Sequence, residues 1–236
     1  MHAIFLADAH LDQPADANYE AMLRFLADLP ASVDTLCILG DFFEFWIGYP
    51  TNPFPKYTPV IEALQRLADR GVRLIYWEGN HDFHLGPVFR ERLSAQVHPG
   101  PASLTMDGRR VYVCHGDQLL PDSRYALLRA VLHGPLTRWL TRLVPPAGAA
   151  AIAAWMGRRS KTARLRRPPR QEPLALIRDF ARQQFAAGHE VVITGHFHVP
   201  LLETTDEKTV MAVGDWITQF SYGEWRDGVL SLHSYR

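Results

Sequence analysis

Five short polar stretches contain side chains that commonly bind divalent cations. In chain order they are Asp8-Ala9-His10, Gly40-Asp41, Gly79-Asn80-His81-Asp82, His115-Gly116-Asp117 and Gly195-His196-Phe197-His198. Mixed carboxylate, imidazole and amide donors suit borderline ions such as manganese, iron or zinc, whereas an all-oxygen set suits magnesium or calcium. Two cations about 3.5–4 Å apart can lower the pKa of a water molecule and neutralise the charge that develops during phosphate ester hydrolysis. The residue types therefore predict a two-metal hydrolase.

Asp41 is the residue around which we expect this site to form. It follows the predicted strand Thr35–Leu39, in which Leu36–Leu39 is an uninterrupted apolar run short enough for a strand that is buried on both faces. Gly40 allows a tight bend, and a carboxylate at the end of a strand presents two oxygens to a crevice. We therefore predict that Asp41 is a ligand shared by both cations.

The remaining stretches also follow apolar runs, which alternate with amphipathic helices in the first half of the chain. This rhythm favours parallel neighbouring strands whose carboxyl ends carry the ligands. The pattern predicts strands at His2–Ala7, Thr35–Leu39, Arg73–Trp77, Ala102–Met106, Arg110–Cys114 and Val191–Thr194. It predicts helices at Asn18–Asp28, Val60–Asp69 and Leu174–Ala187. The tail from Leu201 to Tyr235 is expected to be a meander of strands.

Each polar stretch is weak evidence when it is taken alone. Asp-x-His arises by chance, Gly-Asp after a strand is usually a turn, and Gly-His-x-His also occurs as surface histidines. The case rests on all five stretches in one order, each after a hydrophobic strand. Among the histidines outside this pattern, five are expected to be structural or exposed: His84, His98, His133, His189 and His233.

Composition favours one sizeable domain over the 236 residues, with 47% hydrophobic content. No apolar run reaches the roughly 18 residues of a membrane span, and the N-terminal segment resembles a strand rather than a signal peptide. Cys37 and Cys114 both lie in apolar, strand-like runs. This favours a reducing compartment over a disulfide framework, and we expect a cytoplasmic chain.

The charge is unevenly distributed despite a formal net charge of zero. Residues 123–171 contain eleven Arg or Lys and no Asp or Glu, so the rest of the chain is acidic. This block predicts an anionic partner, and it lies in a helical insertion that we place at about residues 122–171. Bulky apolar residues of Leu136–Met156 would cover an acyl chain or touch a bilayer surface; alternatively, they pack the insertion on itself.

The five motifs in this order resemble the calcineurin-like metallophosphoesterases, whose series is D-x-H, G-D, G-N-H-[DE], H and G-H-x-H. The resemblance covers the whole chain. It implies an α/β (α+β) fold, a four-layer αββα sandwich of two mixed sheets. It further implies that one metal is held by Asp8, His10, Asp41 and His198. The other metal would be held by Asp41, Asn80, His115 and His196. Asn80, His81 and Asp82 would be catalytic, with His81 beside the phosphate and oriented by Asp82.

Within that superfamily the chain is similar to the UDP-2,3-diacylglucosamine diphosphatases of lipid A biosynthesis. The similar stretches are ILGDFFEFWIG, GNHDFHLG, RRVYVCHGDQLLPDSRYALLR and RRSK. The resemblance implies two divalent ions, with manganese first and iron or zinc as alternatives, and a helical lid that binds the phosphate-bearing half of an anionic glycolipid nucleotide. It also implies peripheral contact with the inner face of the cytoplasmic membrane. The lid residues are Asp122, Tyr125, Arg158, Arg159, Ser160, Lys161 and Arg164. In well-studied members an arginine stands where this chain has His81.

Two other functions stay open on the sequence. The chain could be a phosphoesterase for a nucleotide, a phosphoprotein or nucleic acid, with the basic block holding phosphate. It could also be a binding module that keeps the fold without catalysis, although the full ligand set with His81 argues against this. Arg158–Arg170 contains no aromatic residue on which bases could stack, so no nucleic acid partner is expected.

Overall fold

The computed structural model describes residues 1–49, 52, 54–119 and 173–235, together with scattered positions between 127 and 155. The first half of the chain alternates strands and helices. Its elements are β1 (His2–Leu6), α1 (Ala17–Asp28), β2 (Thr35–Ile38), β3 (Trp46–Ile47), α2 (Thr58–Asp69), β4 (Arg73–Trp77), β5 (Asp82–Phe83) and β6 (Gln96–His98). A 3₁₀ turn at Pro55–Tyr57 precedes α2, and a π-helical turn at Val88–Arg92 precedes β6.

The second half contains one long described helix and seven strands. These elements are β7 (Ala102–Met106), β8 (Arg109–Cys114), α3 (Pro173–Ala186), β9 (Val191–Thr194), β10 (Pro200–Thr205), β11 (Lys208–Val213), β12 (Ser221–Arg226) and β13 (Val229–Ser234). A 3₁₀ turn at Asp117–Leu119 follows β8. The predicted strands and helices agree with these elements to within a few residues at each end.

Two mixed sheets form the centre of the fold. The first has the order β13-β12-β1-β2-β4-β6, and the second has the order β10-β11-β9-β8-β7. Strands β1, β2, β4 and β6 are parallel neighbours, as are β8, β9 and β11. The predicted parallel arrangement is therefore confirmed. The carboxyl ends of these strands carry the polar stretches named above.

Alternate residues of each central strand face different layers, which explains the uninterrupted apolar runs. In β1, Ala3 and Phe5 face the second sheet, in a core that includes Val111 and Met211. Ile4 and Leu6 lie in the other core, with residues of α1 and α2. A third cluster joins α3 to the outer face of the second sheet through Ile177, Ala181, Val192, Val210 and Ala212. Helix, sheet, sheet and helix thus form the predicted four-layer sandwich.

The expectation of a single C-terminal meander is wrong. Strands β10 and β11 form a hairpin in the second sheet, whereas β12 and β13 form a hairpin at the edge of the first. The loop at residues 214–220 carries the chain between the sheets and passes the carboxyl ends of the parallel strands, where the Trp216 N–H donates to the Asp8 carbonyl at 3.2 Å. The chain therefore closes the first sheet with its last two strands.

Candidate metal centre

The turn after β2 places Asp41 at the middle of the site. Gly40 has φ of +84°, and a Cβ atom there would lie 2.7 Å from Gly79 Cα and 2.8 Å from His115 Nδ1. Only glycine therefore fits without displacing its neighbours. Asp41 itself has φ of 51° and is 2% exposed. The close approach of three loops at this turn brings their side chains within reach of one carboxylate.

The Asp82 carboxylate holds this turn in place. It accepts hydrogen bonds from the backbone N–H groups of Asp41 (2.9 Å), Phe42 (2.7 Å) and Gly79 (3.0 Å), and from the Tyr76 hydroxyl at 2.5 Å. Burial and the nearby charge of Asp41 raise the pKa of Asp82 to about 7. The sequence-based expectation that Asp82 orients His81 is corrected, because the ring of His81 donates from Nδ1 to the Glu44 carbonyl at 2.8 Å instead.

The first group of donors consists of Asp8, His10 and His198. The Nε2 atom of His198 lies 3.6 Å from Asp8 Oδ1, and His10 Nε2 lies 3.7 Å from Asp41 Oδ2. Asp8 Oδ2 accepts the His196 N–H at 2.6 Å, whereas the buried Oδ1 receives no hydrogen bond from the described residues. Burial raises the pKa of Asp8 to about 6, against the attraction of His198 and His115. A buried carboxylate oxygen without a hydrogen-bond donor fits a cation ligand.

The second group consists of Asp41, His115 and His196. His115 donates from Nδ1 to the Leu39 carbonyl at 2.6 Å, which leaves its Nε2 facing the site. That Nε2 lies 3.2 Å from Asn80 Oδ1, 3.2 Å from His196 Nδ1 and 3.6 Å from Asp41 Oδ2. Donor atoms bound to one ion at about 2.1 Å cannot be more than roughly 4.2 Å apart, so these separations suit a shared cation.

One oxygen of the second group also lies close to a donor atom of the first. Asp41 Oδ2 lies 3.7 Å from His10 Nε2 and 3.6 Å from His115 Nε2, while Oδ1 accepts the His81 N–H at 2.9 Å. Burial opposes ionisation of Asp41, but His115, His81 and His10 outweigh it and hold its pKa below the usual range. Asp41 is therefore held as a carboxylate, and its Oδ2 lies between the two sets of donor atoms.

The pKa values of the two histidines in the second group are shifted in opposite directions. Burial lowers the pKa of His115, but the carboxylates of Asp41 and Asp8 outweigh it and raise the value to about 9. Burial and the neighbouring His115 lower the pKa of His196 to about 3. A neutral imidazole is the form that binds metals, and His196 is held in that form.

Two carboxylates near the site were not identified from the sequence. Glu44 Oε2 lies 3.3 Å from His10 Nδ1, and Asp215 Oδ2 lies 3.6 Å from His198 Nδ1. Burial opposes ionisation of Asp215, but contacts with His198 and with backbone N–H groups lower its pKa. Asp215 follows β11 through Gly214, so it repeats the strand-Gly-Asp pattern of Asp41. That repetition is the signal that could have found it.

The structure brings together all seven predicted metal ligands, and it places His81 beside His10 with ring centroids 4.7 Å apart. His10, Glu44 and His81 form a further cluster of close donor atoms. The five histidines set aside above do not occur in the donor groups formed by the described residues. The predicted lid residues all lie outside the described part of the chain: Asp122, Tyr125, Arg158, Arg159, Ser160, Lys161 and Arg164.

The family model for calcineurin-like phosphoesterases matches residues 1–200. The chain belongs to this family. Its sequence relatives include proteins named UDP-2,3-diacylglucosamine hydrolase. The one from Edwardsiella ictaluri is 34% identical over 86% of this chain and 78% of its own length. The one from Aeromonas hydrophila is 31% identical over 100% of this chain and 99% of its own length. The one from Pseudomonas paraeruginosa is 32% identical over 93% of this chain and 92% of its own length.

Solved structures agree on the fold of this calcineurin-like phosphoesterase. An archaeal phosphodiesterase is 13% identical with a TM-score of 0.50 over 99% of both chains. A phosphoesterase from E. coli is 18% identical with a TM-score of 0.50, over 99% of this chain and 93% of that one. The family and the sequence relatives make the chain a hydrolase. Among the described residues, no helix combines the length and apolar character needed to cross a membrane.

Proposed function

We propose that the chain is a two-cation diphosphatase that hydrolyses UDP-2,3-diacylglucosamine to 2,3-diacylglucosamine 1-phosphate and UMP. The observation that carries the two-cation part is Asp41 Oδ2, which lies 3.7 Å from a ligand atom of one donor group and 3.6 Å from a ligand atom of the other. The substrate part is supported by the names of the relatives, which match nearly the whole chain.

In this proposal one cation is held by Asp8, His10, Asp41 and His198, and the other by Asp41, Asn80, His115 and His196. The mixed nitrogen and oxygen donors favour manganese, with iron or zinc as alternatives. When bound, the two cations would activate a water molecule and neutralise charge on the phosphate.

His81 would act on the phosphate rather than on a cation. Its backbone N–H donates to Asp41 Oδ1 and its ring Nδ1–H donates to the Glu44 carbonyl, so the backbone and the ring are each held by one hydrogen bond and Nε2 is the other ring nitrogen. In the imidazolium form, which carries a proton on each ring nitrogen, His81 would donate the Nε2 proton to the leaving phosphate oxygen or stabilise its charge. Asp82 would contribute indirectly by holding the backbone of the Asp41 turn, and Asn80 would supply a neutral oxygen ligand.

The insertion at residues 122–171 would form a lid over the same site, within a single domain that covers residues 1–236. Described side chains of this segment are bulky, apolar and 54–67% exposed: Leu127, Val131, Trp139, Leu143 and Trp155. Such exposure suits contact with acyl chains or a bilayer surface. The basic block would bind the substrate phosphate through Arg158, Arg159, Lys161 and Arg164, together with Asp122, Tyr125 and Ser160. It would also attract the chain peripherally to the anionic inner face of the cytoplasmic membrane.

The deciding experiment compares substrates in the presence of Mn²⁺. The protein and an Asp41→Ala blank are incubated with UDP-2,3-diacylglucosamine, with a nucleoside diphosphate sugar that lacks acyl chains, and with a small chromogenic phosphodiester. Phosphorus NMR should detect UMP and the lipid phosphate only with the active protein, and turnover of the diacylated substrate should be fastest. Equal kcat/KM for the first two substrates would instead favour a general nucleotide phosphoesterase.

Cation content tests the shared ligand. The protein should retain two cations per chain in elemental analysis after loading and desalting. Asp41→Ala should retain neither, because one carboxylate serves both groups. Retention of two cations by Asp41→Ala would overturn the proposed assignment.

A further inference from the structure

The Asp215 carboxylate is held in place by its own loop and faces the His198 imidazole. The Asp215 side chain is buried, and Oδ1 accepts the backbone N–H groups of Ile217 at 2.8 Å and Thr218 at 2.7 Å. The opposite oxygen, Oδ2, faces His198 Nδ1 at 3.6 Å. The same loop also holds the backbone of His198, because Gln219 Nε2 donates to the His198 carbonyl at 2.9 Å. Oδ1 is thus held by the backbone of the loop, whereas Oδ2, which also accepts the Thr218 hydroxyl at 3.3 Å, faces the imidazole.

Glu44 has the corresponding position next to His10. Its backbone N–H donates to the Leu11 carbonyl at 2.9 Å, which holds it against the loop that carries His10. Its Oε2 lies 3.3 Å from His10 Nδ1, and only 12% of its side chain is exposed. Its carbonyl also receives the His81 Nδ1–H. Glu44 therefore lies between the ligand histidine and the histidine that faces the phosphate.

Both histidines present the opposite nitrogen to the site. His10 Nε2 faces Asp41 Oδ2 and His198 Nε2 faces Asp8 Oδ1, at 3.7 and 3.6 Å. A neutral imidazole carries one N–H, so an acceptor at Nδ1 leaves the lone pair on Nε2. A carboxylate acceptor also makes that lone pair more basic. Both effects favour cation binding at Nε2.

We propose that Glu44 and Asp215 are positioning residues, each of which accepts the Nδ1–H of one histidine and thereby sets the cation affinity of the Asp8, His10, His198 site. The proposal rests on the two-cation assignment in the proposed function. It requires the contacts at 3.3 and 3.6 Å to shorten into hydrogen bonds when Nε2 binds a cation. Neither residue touches the reacting phosphate.

The test uses Asp215→Asn and Glu44→Gln, because an amide keeps the shape of the side chain. In Asp215→Asn, Oδ1 can still accept the backbone N–H groups, while an NH₂ group that cannot accept a hydrogen bond faces His198. Glu224→Gln is the matched control, because Glu224 accepts from His2 at 2.8 Å in a carboxylate–histidine pair away from the site. Thermal unfolding and circular dichroism verify that all three variants fold.

Chelator-treated protein is titrated with Mn²⁺, and free Mn²⁺ is followed by electron paramagnetic resonance. Wild type and Glu224→Gln should bind two ions. Asp215→Asn and Glu44→Gln should each weaken one of the two sites by about 10–100-fold and leave the other nearly unchanged. In the Zn²⁺-loaded protein, ¹⁵N spectra of the histidines should show Nδ1–H on His10 and His198, with the Nδ1 signal shifted in the corresponding variant.

The outcomes separate this inference from the proposed function. Two ions bound with wild-type affinities by both variants would overturn the positioning role and leave the two-cation site intact. Loss of both ions in either variant would also overturn it, since the effect would not be confined to one site. A wild-type protein that binds fewer than two ions would overturn the two-cation site itself, and the positioning role with it.

Discussion

Gly40 can be tested with a matched pair of substitutions. Gly40 and Gly71 have nearly the same backbone conformation, with φ of +84° and +88°. They differ in what an added methyl group would meet. At Gly71 the methyl group would meet no atom of the described residues within 4 Å, whereas at Gly40 it would meet Gly79 Cα at 2.7 Å and His115 Nδ1 at 2.8 Å. Gly71→Ala therefore isolates the conformational cost, and Gly40→Ala adds the steric collision.

The expected magnitudes follow from these contacts. A left-handed conformation costs an L-residue about 1–2 kcal/mol, part of which is offset by the reduced entropy of the unfolded chain, so Gly71→Ala should destabilise by about 1 kcal/mol. The collision at Gly40 involves backbone and a ring already bonded to Leu39 at 2.6 Å, so neither neighbour moves freely. Overpacking of this kind adds about 1–3 kcal/mol, which gives roughly 2–4 kcal/mol for Gly40→Ala.

The first assay is urea unfolding of protein from which a chelator has removed the cations. The second is elemental analysis of the cations in protein that has been reloaded with them. Gly40→Ala should have the lower urea midpoint and should lose the cation that the proposed function assigns to His115, because the added methyl group displaces that imidazole. Gly71→Ala should keep both cations. Equal losses of stability in the two variants, with both cations retained by Gly40→Ala, would refute the claim that close packing at Gly40 positions the site.

Three further outcomes are expected. His81→Ala should keep its cations while turnover falls by roughly 10²–10⁴, the usual scale of acid–base help; loss of a cation in elemental analysis would show that its role is wrong. The double variant Arg159→Ala/Lys161→Ala should raise KM for the diacylated substrate by about a hundredfold, and by less at high salt. Its kcat/KM for a chromogenic phosphodiester should change little, and equal losses of kcat/KM on the two substrates would contradict the lid role. Removal of the cations by a chelator should lower the melting temperature, since a ligand at 100 times its Kd stabilises the folded state by about 2.7 kcal/mol per site. Scanning calorimetry with and without chelator measures the shift, and an unchanged melting temperature after cation loss would contradict this prediction.

The strands and the ligand order could be predicted because both are local in sequence. Thr35–Leu39 and Val191–Thr194 are largely apolar segments that are each followed by a glycine, and burial on both faces leaves few alternatives to a central parallel strand. Carboxyl ends of parallel strands meet at one edge, so polar residues that follow such strands come together. The convergence of Asp8, Asp41 and His115 follows from this rule.

The contacts between loops could not be predicted, because they depend on how the two sheets pack. The family resemblance implies that Asp82 orients His81, its neighbour in sequence. The structure instead turns its carboxylate toward backbone N–H groups 39–41 residues away and toward Tyr76. Asp215 was missed for a similar reason. It reaches the site only because the loop after β11 crosses from the second sheet to the first.

The backbone of the site explains why these loop contacts are needed. Five of the seven predicted ligands have positive φ: Asp8 (52°), His10 (44°), Asp41 (51°), His196 (70°) and His198 (54°). Each such residue costs of order 1–3 kcal/mol and persists only where its surroundings fix it. The Asp41 turn is fixed by Asp82, and His198 is fixed by Gln219. Hydrogen bonds from loops remote in sequence therefore maintain the strained conformations that point ligand atoms at common positions.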